Sequence, residues 1–216
     1  VDIAEGGGKF SDIYKAAPAP AYLFAVVYKV LGPQPHAIRA LSLLAGVFLC
    51  FLVYAVALRL FNKHTAFLAG ITAALCGPLL LFSAVPLKAI WSALVLVSIV
   101  WGTVFLWKKP AWPRLLLLGA LTALAAVTRP NAMVLMPVTA VIALAASWSF
   151  KRKLTHAIIA LVPLTIGAAI VLSPFVIRNY TVSGEPVLAT SQAGFNFHIA
   201  NDPEDPYPFF RPKAHA

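Results

Sequence analysis

Residues 37–60 read AIRALSLLAGVFLCFLVYAVALRL, with charge only at Arg39 and Arg59, near the two ends. At 1.5 Å per helical residue, 24 residues reach about 36 Å, enough to cross a hydrocarbon core of about 30 Å. Three more runs have the same character: 65–85 (TAFLAGITAALCGPLLLFSAV), 89–107 (AIWSALVLVSIVWGTVFLW) and 157–177 (AIIALVPLTIGAAIVLSPFVI). The apolar stretch 113–150 is too long for one crossing, and Thr128-Arg129-Pro130-Asn131 interrupts it. A cation followed by proline is costly at mid-bilayer and natural at a turn. The stretch therefore divides into spans at about 114–128 and 131–149, giving six in all.

Composition supports the same class. The 216 residues are 61% hydrophobic and 11% charged, with a mean hydropathy of +0.85. A soluble domain carries about a quarter of its residues as charges, and this chain could not cover its own surface. The seven acids are Asp2, Glu5, Asp12, Glu185, Asp202, Glu204 and Asp205, so residues 13–184 hold none. Lysine and arginine recur through that interval singly or in short clusters, not along one polar face, which argues against a nucleic-acid partner despite the net charge of +10. The expected fold class is an all-α integral membrane protein: a polytopic helical bundle in the lipid bilayer.

Around the bundle the chain organises into three parts. Residues 1–36 form an external loop ending in an amphipathic helix, 20–32, which at about 20 Å is too short to span and suits the interface. Residues 37–177 hold the spans, and 178–216 form an external segment whose alternating Thr, Val, Phe and Tyr suggest the start of a mixed or β-rich unit. Six spans put RLFNKH (59–64), WKKPAWPR (107–114) and KRK (151–153) on one side, with eight Lys and Arg between them. The other side keeps Lys88 and Arg129, with Arg39 and Arg178 at span ends. The positive-inside rule then places both ends of the chain on the non-cytoplasmic side.

Motifs of soluble enzymes are missing: no phosphate-binding glycine loop, no G-x-S-x-G and no H-E-x-x-H. The triplet Gly6-Gly7-Gly8 reads as a flexible loop, and Cys50 and Cys76 fall inside apolar runs as small buried thiols. No Cys/His spacing suggests a metal site. The topology itself creates the one constellation of interest, because Lys88, Arg129 and Arg178 come from three separate turns near one membrane face. Cations at that depth can meet a lipid phosphate or pyrophosphate, and arginine grips phosphate through paired hydrogen bonds. The plainer alternative is that they snorkel to headgroups and anchor helix ends. Tyr14, Tyr22 and Tyr28 surround the interfacial helix, where they could stack on a sugar or serve as belt aromatics; Trp107, Trp112 and Trp148 fit a belt at the opposite face.

Longer segments carry a family likeness. PAPAYLFAVVYKVLG (18–32) and IRALSLLAGVFLCFLVYAVALRLFNKHTAFLAG (38–70) resemble the early part of bacterial membrane glycosyltransferases of the dolichyl-phosphate-mannose protein mannosyltransferase type, which have the GT-C fold. LLLLGALTALAAVTRPNAMVLMP (115–137) resembles the family's small-residue span followed by Arg-Pro and Leu-Pro. SPFVIRNYTVSGEPVLATSQAGFNFHIAND (173–202) resembles its Pro-x-x-x-Arg-Asn-Tyr exit into an external segment.

The resemblance implies transfer of a sugar from a polyprenyl-phosphate carrier to an acceptor, whose identity as protein, lipid or glycan stays open, on the outer face of a bacterial inner membrane. Arg129, Arg178 and Lys88 would hold the carrier phosphate, and Tyr14, Asn179 and Asn201 would contact substrate. The family's catalytic acid lies in the first external loop, ahead of the segment matching VDIAEGG, and is therefore expected upstream of Val1. An N-terminally truncated and inactive piece is expected accordingly. Asp2 and Asp12 are the candidates within the chain, and neither matches the motif. The turn SAVPLKA has no acid where several relatives place one, and the family's Gly-Asn is Ala200-Asn201. No cofactor follows from the residues, although the loop acid of a longer chain could ligate a divalent metal. Two other readings stay open: a transporter or flippase for a lipid-linked saccharide, which should show broken helices at mid-membrane, and a non-catalytic membrane scaffold.

Overall fold

The computed structural model describes residues 17–85, 87–108, 110–151, 154–184 and 186–190. Val1, ahead of which the catalytic acid is expected, lies outside these, as do the predicted positions Asp2, Asp12, Tyr14 and Asn201. The expected β-rich unit beyond residue 190 lies outside them too. Among the described residues every regular element is helical: α1 Pro18–Leu31, α2 Pro35–Leu60, α3 Lys63–Ala74, α4 Gly77–Ala84, α5 Lys88–Lys108, α6 Trp112–Thr128, a 3-10 turn Pro130–Val134, α7 Leu135–Lys151, α8 Leu154–Ile159 and α9 Leu161–Ser183. Proline in the first turn starts α1, α2, α4 and α6, where its missing N–H is no loss. Asn62 starts α3 by accepting a 2.9 Å hydrogen bond from the Thr65 amide.

Four helical segments are long and apolar enough to cross a membrane: Pro35–Leu60, Lys88–Trp107, Pro130–Ser149 and Leu161–Ser183. The predicted span 65–85 is not one straight helix. It is α3 and α4, bent by 52°, and would be a fifth crossing only as a bent pair. Gly77-Pro78 explains the break: Pro78 has no N–H for the Ala74 carbonyl, and the chain leaves helical geometry at Leu75 and Cys76. The predicted span 114–128 is α6, whose 17 residues reach about 25 Å. The expected last span also shifts, because α9 runs to Ser183 and carries Arg178 and Asn179 in its final turns.

Side-chain contacts fix the helix directions. Gly46 of α2 lies against Ile90 of α5, and Arg59 lies over Phe105, so α2 and α5 are parallel. Gly70 of α3 packs on Tyr54, and Ser83 of α4 on Gly46, so α3 and α4 return antiparallel to α2. Gly102 of α5 meets Leu118 and Leu121 of α6, while Arg114 reaches the Phe105 carbonyl; α6 is antiparallel to α5. Leu115 and Leu118 share a cluster with Leu164, and Ala123 and Val127 share another with Leu172, so α9 runs parallel to α6. Val127 clusters with Met133 and Met136 beyond the 3-10 turn, and Leu115 with Ala143 and Ala146, which turns α7 back the other way.

Apolar side chains cover the outside as well as the centre. Val47, Phe48 and Phe51 of α2 are all more than half exposed, as a helix facing lipid requires. Four buried hydroxyls return to their own helix, Thr122 donating to the Leu118 carbonyl, Thr128 to Leu124, Thr139 to Leu135 and Ser83 to Leu79, whereas the buried Ser42 and Ser147 hydroxyls have no partner among the described residues. With no water in a hydrocarbon core, such internal pairing is the way a polar side chain is accommodated there.

Candidate functional site

These directions give the bundle two ends. At one end α2 finishes with Arg59, α3 begins with Lys63, α5 finishes with Lys108, α6 begins near Arg114 and α7 finishes with Lys151. Trp107, Trp112 and Trp148 are about half exposed around this basic end. At the other end lie the first residue of α5, Lys88, the residue that stops α6, Arg129, and the last turns of α9 with Arg178. The three cations predicted to act together therefore share an end of the bundle, contributed by three helices.

Each is held differently. Lys88 is exposed, and its carbonyl accepts from the Ser92 hydroxyl at 2.9 Å. Arg129 is exposed in extended geometry: its amide donates to the Ala125 carbonyl at 2.7 Å and its carbonyl accepts from Ala132 at 2.8 Å. Pro130 demands that geometry of its predecessor, so the Arg129 side chain is presented from a fixed corner. Arg178 is half-buried and donates from Nη1 to Asn179 Oδ1 at 3.3 Å.

Asn179, expected from the sequence to contact substrate, is fully buried. Its Nδ2 donates to the Val187 carbonyl at 2.9 Å and to the Ala189 carbonyl at 3.4 Å. Both amide hydrogens are thus engaged, which leaves Oδ1 to face the Arg178 guanidinium. Gly184 makes this possible: its φ of 72° ends α9 in left-handed geometry and turns the chain back over the helix end. Ala189, 1% exposed, then enters the cluster of Val127 and Leu172. The signal legible in the sequence is Gly184, a helix stop; the pairing of Asn179 with residues eight and ten positions on is not.

α1 closes the same end. Ala19 packs against the cluster of Ala123, Val127, Leu172 and Ala189, and Tyr22 meets Phe175 edge-on at a centroid distance of 6.1 Å. The stretch 20–32 is helical up to Leu31, within α1, and the residues it touches belong to the Arg129 end. Pro174 sits within α9 and cannot donate to the Ile170 carbonyl, which instead accepts from the Ser173 hydroxyl at 3.3 Å. Among the described residues no group of three His, Cys, Asp or Glu side chains could hold a metal ion.

A sequence-family model described as dolichyl-phosphate-mannose-protein mannosyltransferase matches residues 15–177, well over half of the chain. The chain belongs to that family. No curated protein and no solved structure matches it. As a member of the mannosyltransferase family, the protein is a membrane glycosyltransferase in general terms, and the family uses a polyprenyl-phosphate sugar donor. The match spans α1 to all but the last two turns of α9, so it includes Lys88 and Arg129 and stops one residue before Arg178.

Proposed function

We propose that this chain supplies the carrier-phosphate end of a glycosyltransferase that moves a hexose, of the mannosyl type, from a polyprenyl phosphate to an acceptor at the non-cytoplasmic membrane face. The observation that supports the reading is that Lys88, Arg129 and Arg178 all lie at the bundle end opposite the basic end. Six crossings, counting the bent pair and the short α6, would set the basic end in the cytoplasm. A departing polyprenyl phosphate gains negative charge on oxygen as the sugar leaves. Guanidinium groups fixed beside that oxygen stabilise the charge as it develops. Asn179 acts here as a positioning residue: it holds Arg178 and the returning segment, and its burial keeps it from the sugar. Asp2 and Asp12 are the candidates within the chain for the acid that would activate the acceptor.

The test is donor kinetics in membranes holding the intact protein. Arg129→Gln and Arg178→Gln should raise the KM for lipid-linked sugar more than they alter the KM for acceptor. Unchanged donor KM in both variants would remove the phosphate role.

One observation favours the transporter reading: the break between α3 and α4 is a discontinuous helix of the kind such proteins use. Leu75, Cys76, Gly77 and Pro78 form the break, however, and offer no charge to a saccharide phosphate. The cations instead stand at a bundle end, where a transferase holds its lipid headgroup.

A further inference from the structure

α2 and α6 each pack on α5, and between them lies a cleft of about 530 Å³ with α5 as its floor. That volume lies in the range of small-molecule sites, roughly 300–1,000 Å³. Phe51 of α2, Trp101 and Phe105 of α5 and Leu121 of α6 are among the side chains lining it. Its polar side chains are turned to the protein's own use. The Ser98 hydroxyl donates to the Leu94 carbonyl at 2.8 Å, and the Arg59 guanidinium lies over the Phe105 ring, 4.7 Å from its centroid. Tyr54 sets its ring 6.5 Å from that of Phe51. What remains is a surface of aromatic rings and methyl groups, suited to hydrocarbon.

The position of the cleft says which hydrocarbon. Its floor helix, α5, begins at Lys88, and its wall helix α6 stops at Arg129. Ser98 is ten residues along α5 from Lys88, and Leu121 is eight residues back along α6 from Arg129, so the near rim lies about 12–15 Å from the two cations. Phe105, seventeen residues from Lys88, lies about 25 Å away. The acyl chains of one leaflet cover about half of a hydrocarbon core of about 30 Å. A chain anchored at the Arg129 end therefore reaches Phe105 only if it is longer than an acyl chain of that leaflet. The family's donor carries such a chain, a polyprenyl tail of repeated isoprene units.

We propose that the cleft between α2, α5 and α6 holds the middle of the carrier's polyprenyl tail, with the isoprene units against Phe51, Trp101 and Leu121. The inference rests on the reading of the Lys88 and Arg129 end as the carrier-phosphate site. Arg59, stacked on Phe105, closes the far end of the cleft to hydrocarbon. The tail must leave sideways into the bilayer at that level, so the cleft recognises a length of chain and not its terminus.

Trp101 makes the proposal measurable. The intact protein, with every tryptophan except Trp101 changed to Phe, would be placed in phosphatidylcholine nanodiscs. A nitroxide would be carried mid-chain on polyprenyl phosphate, on polyprenol or on phosphatidylcholine. Trp101 fluorescence should be quenched at a several-fold lower mole fraction of either polyprenyl compound than of phosphatidylcholine. Ala55→Phe and Leu117→Phe, which fill the cleft from its two walls, should each reduce that preference several-fold. Phe67→Ala, at an exposed position of α3, should leave it unchanged. Polyprenol that quenches no better than phosphatidylcholine overturns the proposal, because any preference for the phosphate would then owe nothing to the tail. A preference that survives both cleft-filling variants overturns it too. The phosphate site is read separately: Arg129→Gln with Arg178→Gln should weaken quenching by polyprenyl phosphate and leave that by polyprenol. No change for either compound would overturn the phosphate assignment alone, since polyprenol reports on the cleft by itself.

Discussion

Gly119 of α6 and Gly167 of α9 cross back to back, each pressed on the other helix's main chain. A Cβ on Gly119 would strike the Leu164 carbonyl, and one on Gly167 would strike the Leu116 carbonyl. Membrane helices gain little from burying apolar surface against each other, because lipid is as apolar as protein. Close backbone approach through small residues is what holds such a pair. This crossing also fixes the parallel direction that brings the ends of α6 and α9, and with them Arg129 and Arg178, to one end of the bundle.

Even the smallest added side chain should therefore disturb the pair. Gly119→Ala and Gly167→Ala are each expected to destabilise the protein by about 1–3 kcal/mol, the usual cost of overpacking, and Gly119→Leu more. Thermal unfolding in detergent micelles would read the loss. Gly77→Ala is the comparison, since nothing lies within 4 Å of the position a Cβ would take there. A Gly119→Ala protein as stable as its parent would mean that the two helices separate at no cost.

Asn179 predicts a local effect with a functional consequence. Asn179→Leu keeps the volume and removes the donors to Val187 and Ala189 together with the acceptor facing Arg178. Buried carbonyls left without partners cost about 1–3 kcal/mol. Amide exchange in residues 187–190 should accelerate, and donor KM should rise toward that of Arg178→Gln. Protected amides in the Leu variant would show that burial of Ala189 alone holds the segment.

The sequence disclosed the membrane class and the helix directions because both follow from runs of apolar residues and from counting crossings. Two boundaries were harder. Gly77-Pro78 sits in plain view, yet it is embedded in an unbroken apolar run, and hydropathy carries no information on backbone angle; the bend appears only in the fold. At α9, Arg178-Asn179-Tyr180 reads as a polar exit, whereas the helix continues to Ser183 because Asn179 finds partners in the returning chain. The site divides in the same way. The residue types at Lys88, Arg129 and Arg178 are legible, and Arg129 is even fixed by its Pro130. The meeting of Arg59 and Arg114 over Phe105 is not, since it joins three helices through a contact that no spacing records.

Proline 78 offers a test of the bend. Pro78→Ala restores an N–H that can reach the Ala74 carbonyl, and α3 and α4 should straighten. Spin labels placed at Phe67 and Leu81, both exposed, would move apart as the 52° bend relaxes. Ser83 would shift from Gly46 in the process, so some loss of stability is expected along with the longer distance. An unchanged label distance would assign the bend to packing on α2 and not to the missing hydrogen bond.

Orientation follows from charge and can be settled with thiols. In a background with Cys50 and Cys76 replaced by alanine, Lys88→Cys and Lys63→Cys place single thiols at exposed positions on opposite bundle ends. Positive residues are retained on the cytoplasmic side during insertion, and the basic end carries Arg59, Lys63, Arg114 and Lys151. A membrane-impermeant maleimide added to intact cells should therefore label Cys at position 88 and spare position 63 until the cells are opened. Arg129→Cys should follow position 88, because helix direction places both at one end. Labelling of position 63 alone in intact cells would invert the protein and move the proposed carrier-phosphate end to the cytoplasm. Equal labelling of 88 and 63 would mean that the bent pair α3–α4 enters and leaves by the same face. The short α6 would then have to be reconsidered as a crossing, because the positive residues would no longer sort to one side.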